Sequence, residues 1–170
     1  MVPSPSVETY DKKPEMSARE ITKEAVRAIE SGEYNFIALN FANADMVGHT
    51  GNLKAAVTAI EVIDECLGAI VRSVLAHKGA VLITADHGNA ESMLDLANGT
   101  IDKEHSNNPV PCIIISNELE GTTSGFADRA IGKDLSILEP SGLLSDVAPT
   151  VLALLGIAKP PEMTGNSLLM

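Results

Sequence analysis

Three short apolar runs separated by stretches of helical periodicity constrain this chain most. Phe36-Ile37-Ala38-Leu39-Asn40, Ala80-Val81-Leu82-Ile83-Thr84 and Val110 to Ser116 each have strand length. The first two read as buried strands of a parallel sheet and the last as a third strand. Between them, Ser17 and Glu20 form a capping box ahead of Ile21, Ala25, Ala28 and Ile29, predicting a helix that Gly32 stops. A long helix follows from about Leu53 to His77, with Leu53, Val57, Ile60, Ile63, Leu67, Ile70, Val71 and Val74 as its apolar stripe and Gly79 at its end. Strands alternating with helices predict an α/β domain with a mostly parallel sheet. Ligands of such sheets sit outside the carboxyl ends of the strands.

The remaining segments are connections. Residues 1–16, with three prolines, read as an extended arm. Residues 95–108 read as a loop. Pro109 and Pro111 place the start of the third strand at an edge or where hydrogen bonding begins. Residues 117–142 are Gly-rich and carry no clear pattern. A last helix spans Asp146 to Leu155, with Pro149 near its first turn and Gly156 closing it.

Charge narrows the partners. Lys plus Arg is 12 against 23 for Asp plus Glu, a net charge of −11 without a basic tract. Binding a phosphate backbone needs clustered cations, so nucleic acid is not an expected partner. No apolar run approaches the roughly 20 residues of a membrane span, and the N-terminus does not read as a signal peptide. Cys66 and Cys112 lie far apart and suit reduced thiols in the cytoplasm. An acidic protein still handles an anionic substrate when bound cations reverse the local field.

The histidines supply the means to bind such cations. Asp45 and His49 stand four apart, sharing one face if the loop opens a helical turn. Asp86 and His87 directly follow the second apolar run, and His105 lies in a loop where it can complete either set. Alone, Asp45 with His49 reads better as a cap and a surface histidine, and His105 as a solvated loop residue. An acid and a histidine at the end of a buried strand are costly without partners, which favours function there. Mixed carboxylate and imidazole donors suit Mn²⁺ or Zn²⁺. Five donors exceed one open site and point to two ions, which would clamp a phosphoryl group. His77 reads as structural, offsetting a helix dipole. No hydroxyl stands in a context that marks it as an activated nucleophile. The arginines are only four, Arg19, Arg27, Arg72 and Arg129, which leaves an arginine clamp for a phosphorylated acid mostly missing.

These segments occur together in a known pattern. Asn43-Ala44-Asp45-Met46-Val47-Gly48-His49-Thr50-Gly51, Thr84-Ala85-Asp86-His87-Gly88-Asn89-Ala90-Glu91, and His105 followed by Asn108-Pro109-Val110-Pro111 resemble the cofactor-independent (2,3-bisphosphoglycerate-independent) phosphoglycerate mutases. Thr9-Tyr10-Asp11, Lys13-Pro14-Glu15-Met16-Ser17-Ala18, Leu144 to Thr150 and Glu162-Met163-Thr164-Gly165 extend the resemblance over nearly the whole chain. It implies an alkaline-phosphatase-like three-layer α/β sandwich, here incomplete. These residues would form the C-terminal portion of the metal-binding phosphatase domain, without the family's N-terminal segment and transferase domain. It also implies interconversion of 3-phosphoglycerate and 2-phosphoglycerate through a phosphoserine and two Mn²⁺ ions. Asp45, His49 and His105 would hold one ion. Asp86 and His87 would hold the other, with an aspartate and the nucleophilic serine from outside these residues. The chain alone would then be inactive, and its open sheet edge would promote self-association. Another metal-dependent phosphatase of the same superfamily, or a non-catalytic metal-binding fragment, are the alternative readings.

Overall fold

A computed structural model describes residues 1–95, 98–122 and 139–169. The chain divides into two units, Met1–Gly79 with Gly88–Ser106, and Ala80–His87 with Asn107–Met170.

The first unit is helical: α1 (Ala18–Ser31), α2 (Asn43–Gly48) and α3 (Leu53–Ala76), with 3-10 turns at Tyr10–Lys12 and Ala90–Ser92. Helix α1 ends at Gly32, which adopts a φ of +66° and donates its N–H to Ile29 O. The expected capping box at Ser17 does not form. Its hydroxyl instead donates to Pro3 O at 2.7 Å, tying the N-terminal arm to the start of α1. Asn43, only 1 % exposed, donates to Pro14 O at 2.8 Å and fixes the arm again at α2. Helix α3 is capped by Asn52, whose side chain accepts from Ala55 N.

The buried face of α3 departs from the expected stripe. Ala55, Ala56, Ala59, Val62, Cys66 and Ile70 are buried, whereas Leu53, Val57 and Ile60 are 59 %, 51 % and 46 % exposed. Over the first half of α3 the buried row is displaced from the expected one by two residues, about 200° around the axis, and at Ile70 the two coincide. Small side chains let neighbouring elements approach closely. Ala55, Ala56 and Ala59 pack with Val47 and Met93, and Val62 and Cys66 with Ala18. Arg19 on α1 also meets Glu65 on α3 at 2.7 Å, an exposed pair that adds little stability. Phe36 to Asn40, expected as a strand, runs without a strand partner among the described residues, and Phe36 is exposed.

The second unit holds strands β1 (Ala80–Thr84) and β2 (Cys112–Ser116) and helix α4 (Val147–Leu154). The strands pair antiparallel, Ala80 with Ser116, Leu82 with Ile114 and Thr84 with Cys112. The α/β class stands, but the described strand pair is antiparallel where a parallel sheet was expected. Nor are the strands buried as expected: every residue of β1 and β2 is half-buried or exposed, and Ile113 is 47 % exposed, because an apolar run shows what could be covered and neither what covers it nor the strand direction. Strand β2 starts after Pro109 and Pro111, neither of which can donate to a ladder. Of residues 117–142, the structure describes a 3-10 turn at Asn117–Leu119, while residues 123–138 lie outside the described residues. No helix among the described residues is long and apolar enough to cross a membrane.

Helix α4 begins beyond a 3-10 turn at Leu144–Asp146. The Asp146 carboxylate accepts the backbone N–H groups of Asn166 and Leu143, each at 2.8 Å. Fully buried Thr150 donates to Asp146 O and accepts from Leu168 N, so the tail is hydrogen-bonded to α4. The two amides favour the carboxylate form and hold the Asp146 carboxyl below its usual range. Its stabilising contribution is therefore complete at neutral pH and is lost as pH falls through the lowered value. An Asp146→Asn chain should be less stable than wild type at pH 7. In acid-unfolding curves followed by circular dichroism, the difference should shrink below roughly pH 4.

Candidate metal centre

Helix α2 and one connection build the site. Asp45 lies within α2, and His49 caps the helix, its N–H donating to Asp45 O at 3.0 Å. The spacing of four thus closes one helical turn and turns both side chains to one face. His105 arrives from the segment after the Leu94–Ile101 bridge, and Ser106 beside it pairs with Gly88.

The three donor atoms form a near-equilateral triangle. Asp45 Oδ1 stands 3.2 Å from His49 Nε2 and 3.2 Å from His105 Nε2, and the two nitrogens are 3.1 Å apart. Two donors to one ion, each about 2.0–2.2 Å from it, stand roughly 3.0–3.4 Å apart, so the triangle fits one divalent cation. The tautomer agrees. His49 Nδ1 donates to Lys103 O at 2.6 Å, which leaves the Nε2 lone pair of the neutral ring facing Asp45. Asp45 Oδ1 is buried and has no hydrogen-bond partner, an arrangement that is costly unless a cation completes it. Among the described residues, this is the group of His, Cys, Asp and Glu donors that converges in threes.

Asp86 and His87 follow β1 in the second unit, as the sequence indicates. His87 Nε2 lies 3.8 Å from Asp86 Oδ1, and the Asp86 side chain is 90 % exposed. The structure therefore gathers Asp45, His49 and His105 into one set and leaves Asp86 and His87 as a pair. His77 caps α3 and hydrogen-bonds Ser73 O through Nδ1 at 2.8 Å, in keeping with its structural reading.

A cleft of about 470 Å³ opens beside His49 and Thr50, lined by Thr9, Tyr10, Asp11 and Lys103. The side chains of Thr9 and Asn52 hydrogen-bond Asp11 and hold its carboxyl below the usual range, and Glu8 lines the cleft as a second acidic side chain. Sequence reasoning did not single out Lys103, whose carbonyl receives His49, nor Asn89 and Glu91, which hydrogen-bond Glu104 O and the Ser106 hydroxyl on either side of His105. Lys103 acts through its backbone carbonyl, which no side-chain pattern signals. Asn89 and Glu91 lie within the Asp-His-Gly-Asn-Ala-Glu run, so their proximity to the site was the available signal.

Known proteins resemble this chain over nearly its whole length. The chain is 52 % identical over 170 residues to the 2,3-bisphosphoglycerate-independent phosphoglycerate mutase 2 of Methanosarcina barkeri, covering 100 % of this chain and 29 % of that protein. It is 49 % identical over 170 residues to the 2,3-bisphosphoglycerate-independent phosphoglycerate mutase of Symbiobacterium thermophilum, covering 30 % of it. The chain thus spans about 30 % of the length of the curated relatives it matches. Crystal structures of Leishmania mexicana phosphoglycerate mutase at low cobalt concentration provide a structural match with a TM-score of 0.77 and 34 % identity, covering 97 % of this chain and 30 % of that one. That likeness agrees with an incomplete alkaline-phosphatase-like fold. The Metalloenzyme superfamily profile matches residues 1–159. With that match across most of its length, the chain belongs to the Metalloenzyme superfamily.

Proposed function

We propose that these residues form the C-terminal portion of the metal-binding phosphatase domain of a cofactor-independent phosphoglycerate mutase, an isomerase that interconverts 3-phosphoglycerate and 2-phosphoglycerate in cytoplasmic glycolysis. The carrying observation is the Asp45–His49–His105 triangle, in a chain about half identical to enzymes of that name. In this reading Asp45, His49 and His105 hold one Mn²⁺. Asp86 and His87 contribute to the second, whose remaining ligands, with the nucleophilic serine, come from outside these residues. When bound, the ions polarise and clamp a phosphoryl group. Asp45 supplies a charged oxygen, His49 a nitrogen whose orientation Lys103 O fixes, and His105 the third donor. Free Cys66 and Cys112 suit a reducing compartment. Strands β1 and β2 pair with each other as a two-stranded sheet among the described residues, which supports self-association at their edges.

An activity assay separates the readings. The 170-residue chain, given Mn²⁺ and 3-phosphoglycerate, should yield no 2-phosphoglycerate at an enzyme-like rate. Such turnover would overturn the assignment of the nucleophile to another part of the enzyme. Hydrolysis of a generic phosphate monoester that disappears in His87→Ala would instead favour a phosphatase.

A further inference from the structure

We propose that Glu91 is a positioning residue of the Asp45–His49–His105 centre, holding the segment that carries His105 against α2. The inference rests on the metal-centre reading above and assigns a role to a side chain outside the ligand set. One carboxylate oxygen of Glu91 accepts the Asn89 backbone N–H at 2.8 Å, and the other accepts the Ser106 hydroxyl. Ser106 also donates its N–H to Gly88 O at 2.8 Å. The residue after His105 is therefore tied to residues 88–91 through both its backbone and its side chain.

The residue before His105 is tied to the same segment. Asn89, 6 % exposed, donates from Nδ2 to Glu104 O at 3.4 Å. The opposite side of Asn89 lies against Gly48, where an added Cβ would overlap the Asn89 side chain. Gly48 stands between Asp45 and His49 on α2. Residues 88–91 thus form a wedge with one ligand-bearing element on each side, and the Glu91 carboxylate braces the wedge internally. Gly88 allows this closeness, since a Cβ there would overlap Ser106 and Glu91. Charge-assisted hydrogen bonds are about twice as strong as neutral ones, and donor atoms must be held to within about 0.5 Å for a productive site. A carboxylate binding both a backbone amide and the neighbour of a ligand meets that demand.

Co²⁺ titration of the 170-residue chain, read by visible absorption, tests the role. Glu91→Ala should weaken Co²⁺ affinity by about 10–100-fold and alter the spectrum, with the three ligands intact. Glu91→Gln should restore affinity and spectrum, because its amide oxygen accepts from Asn89 while its NH₂ donates to the Ser106 oxygen. A merely structural role would lower the melting temperature of the metal-free chain without changing the Co²⁺ spectrum. Wild-type affinity and spectrum in Glu91→Ala would overturn the proposal, as would Glu91→Gln as impaired as Glu91→Ala. If Glu91→Ala does not fold, Ser106→Ala decides: weaker Co²⁺ binding supports the role and unchanged binding overturns it. Absence of Co²⁺ binding in wild type would overturn the metal-centre reading, and this role with it.

Discussion

Under the proposed metal reading, Mn²⁺ should raise the melting temperature of the wild-type chain, and His105→Ala should lose that rise. A ligand that binds only the folded state stabilises it by RT ln(1 + [L]/Kd), about 2.7 kcal/mol at a hundred times Kd. His105 supplies one corner of a triangle whose edges are 3.1–3.2 Å, and its removal leaves Asp45 and His49 as the remaining donors of this set. The metal-free variant should be close to wild type in stability, since the His105 side chain is 51 % exposed and its truncation opens no core cavity. Calorimetry with and without Mn²⁺ separates the two effects. A metal-induced shift retained in full by His105→Ala would show that the ion binds elsewhere.

Gly48→Ala should be the most damaging single-methyl change near the site. Its Cβ would overlap Asn89 Oδ1 and lie 2.9 Å from Asn89 Cγ. Asn89 is buried and hydrogen-bonded to Glu104 O, so it cannot swing away without releasing the segment beside His105. Overpacking of this kind costs about 1–3 kcal/mol, and Mn²⁺ affinity should fall with it because the displaced wedge carries His105 away from α2. Gly68→Ala on α3 provides the contrast. Its Cβ would meet Arg72 Nη1 at 3.3 Å, the far end of a flexible side chain, while alanine favours the helix by up to about 1 kcal/mol. Denaturant melts should place Gly48→Ala well below wild type and Gly68→Ala at or above it. Equal stability of the two variants would show that Asn89 yields at little cost.

Particular residues show how far the sequence reading reached. The Asp45–His49 pair was legible because a spacing of four has one geometric meaning once a helical turn forms, and α2 with its His49 cap provides that turn. Gly32 and Gly156 were legible as helix ends because their left-handed φ values of +66° and +67° favour glycine. Ser17 was misread. The capping-box pattern describes local donors and acceptors, whereas the hydroxyl found Pro3 O fourteen residues away. The stripe of α3 was misread for a related reason. Two apolar rows share the helical period, and hydropathy ranks Leu53, Val57 and Ile60 above the alanines that the neighbouring helices bury.

The sequence by itself determined the α/β composition, the helix boundaries set by glycine, the donor types and the spacing of Asp45 and His49. These depend on backbone conformation and chemical identity within a few residues. The tertiary structure alone decided three further matters. It paired β1 with β2 antiparallel, and it chose the small-residue face of α3 for burial. It also brought His105 Nε2 to 3.1 Å from His49 Nε2 across 56 positions of chain. The physical reason is common to all three. Strand direction, helix face and donor convergence depend on which distant surfaces pack together, and local periodicity carries no information about distance. The bare donor Asp45 Oδ1, between two imidazoles that the chain supplies from separate segments, exists only after that packing.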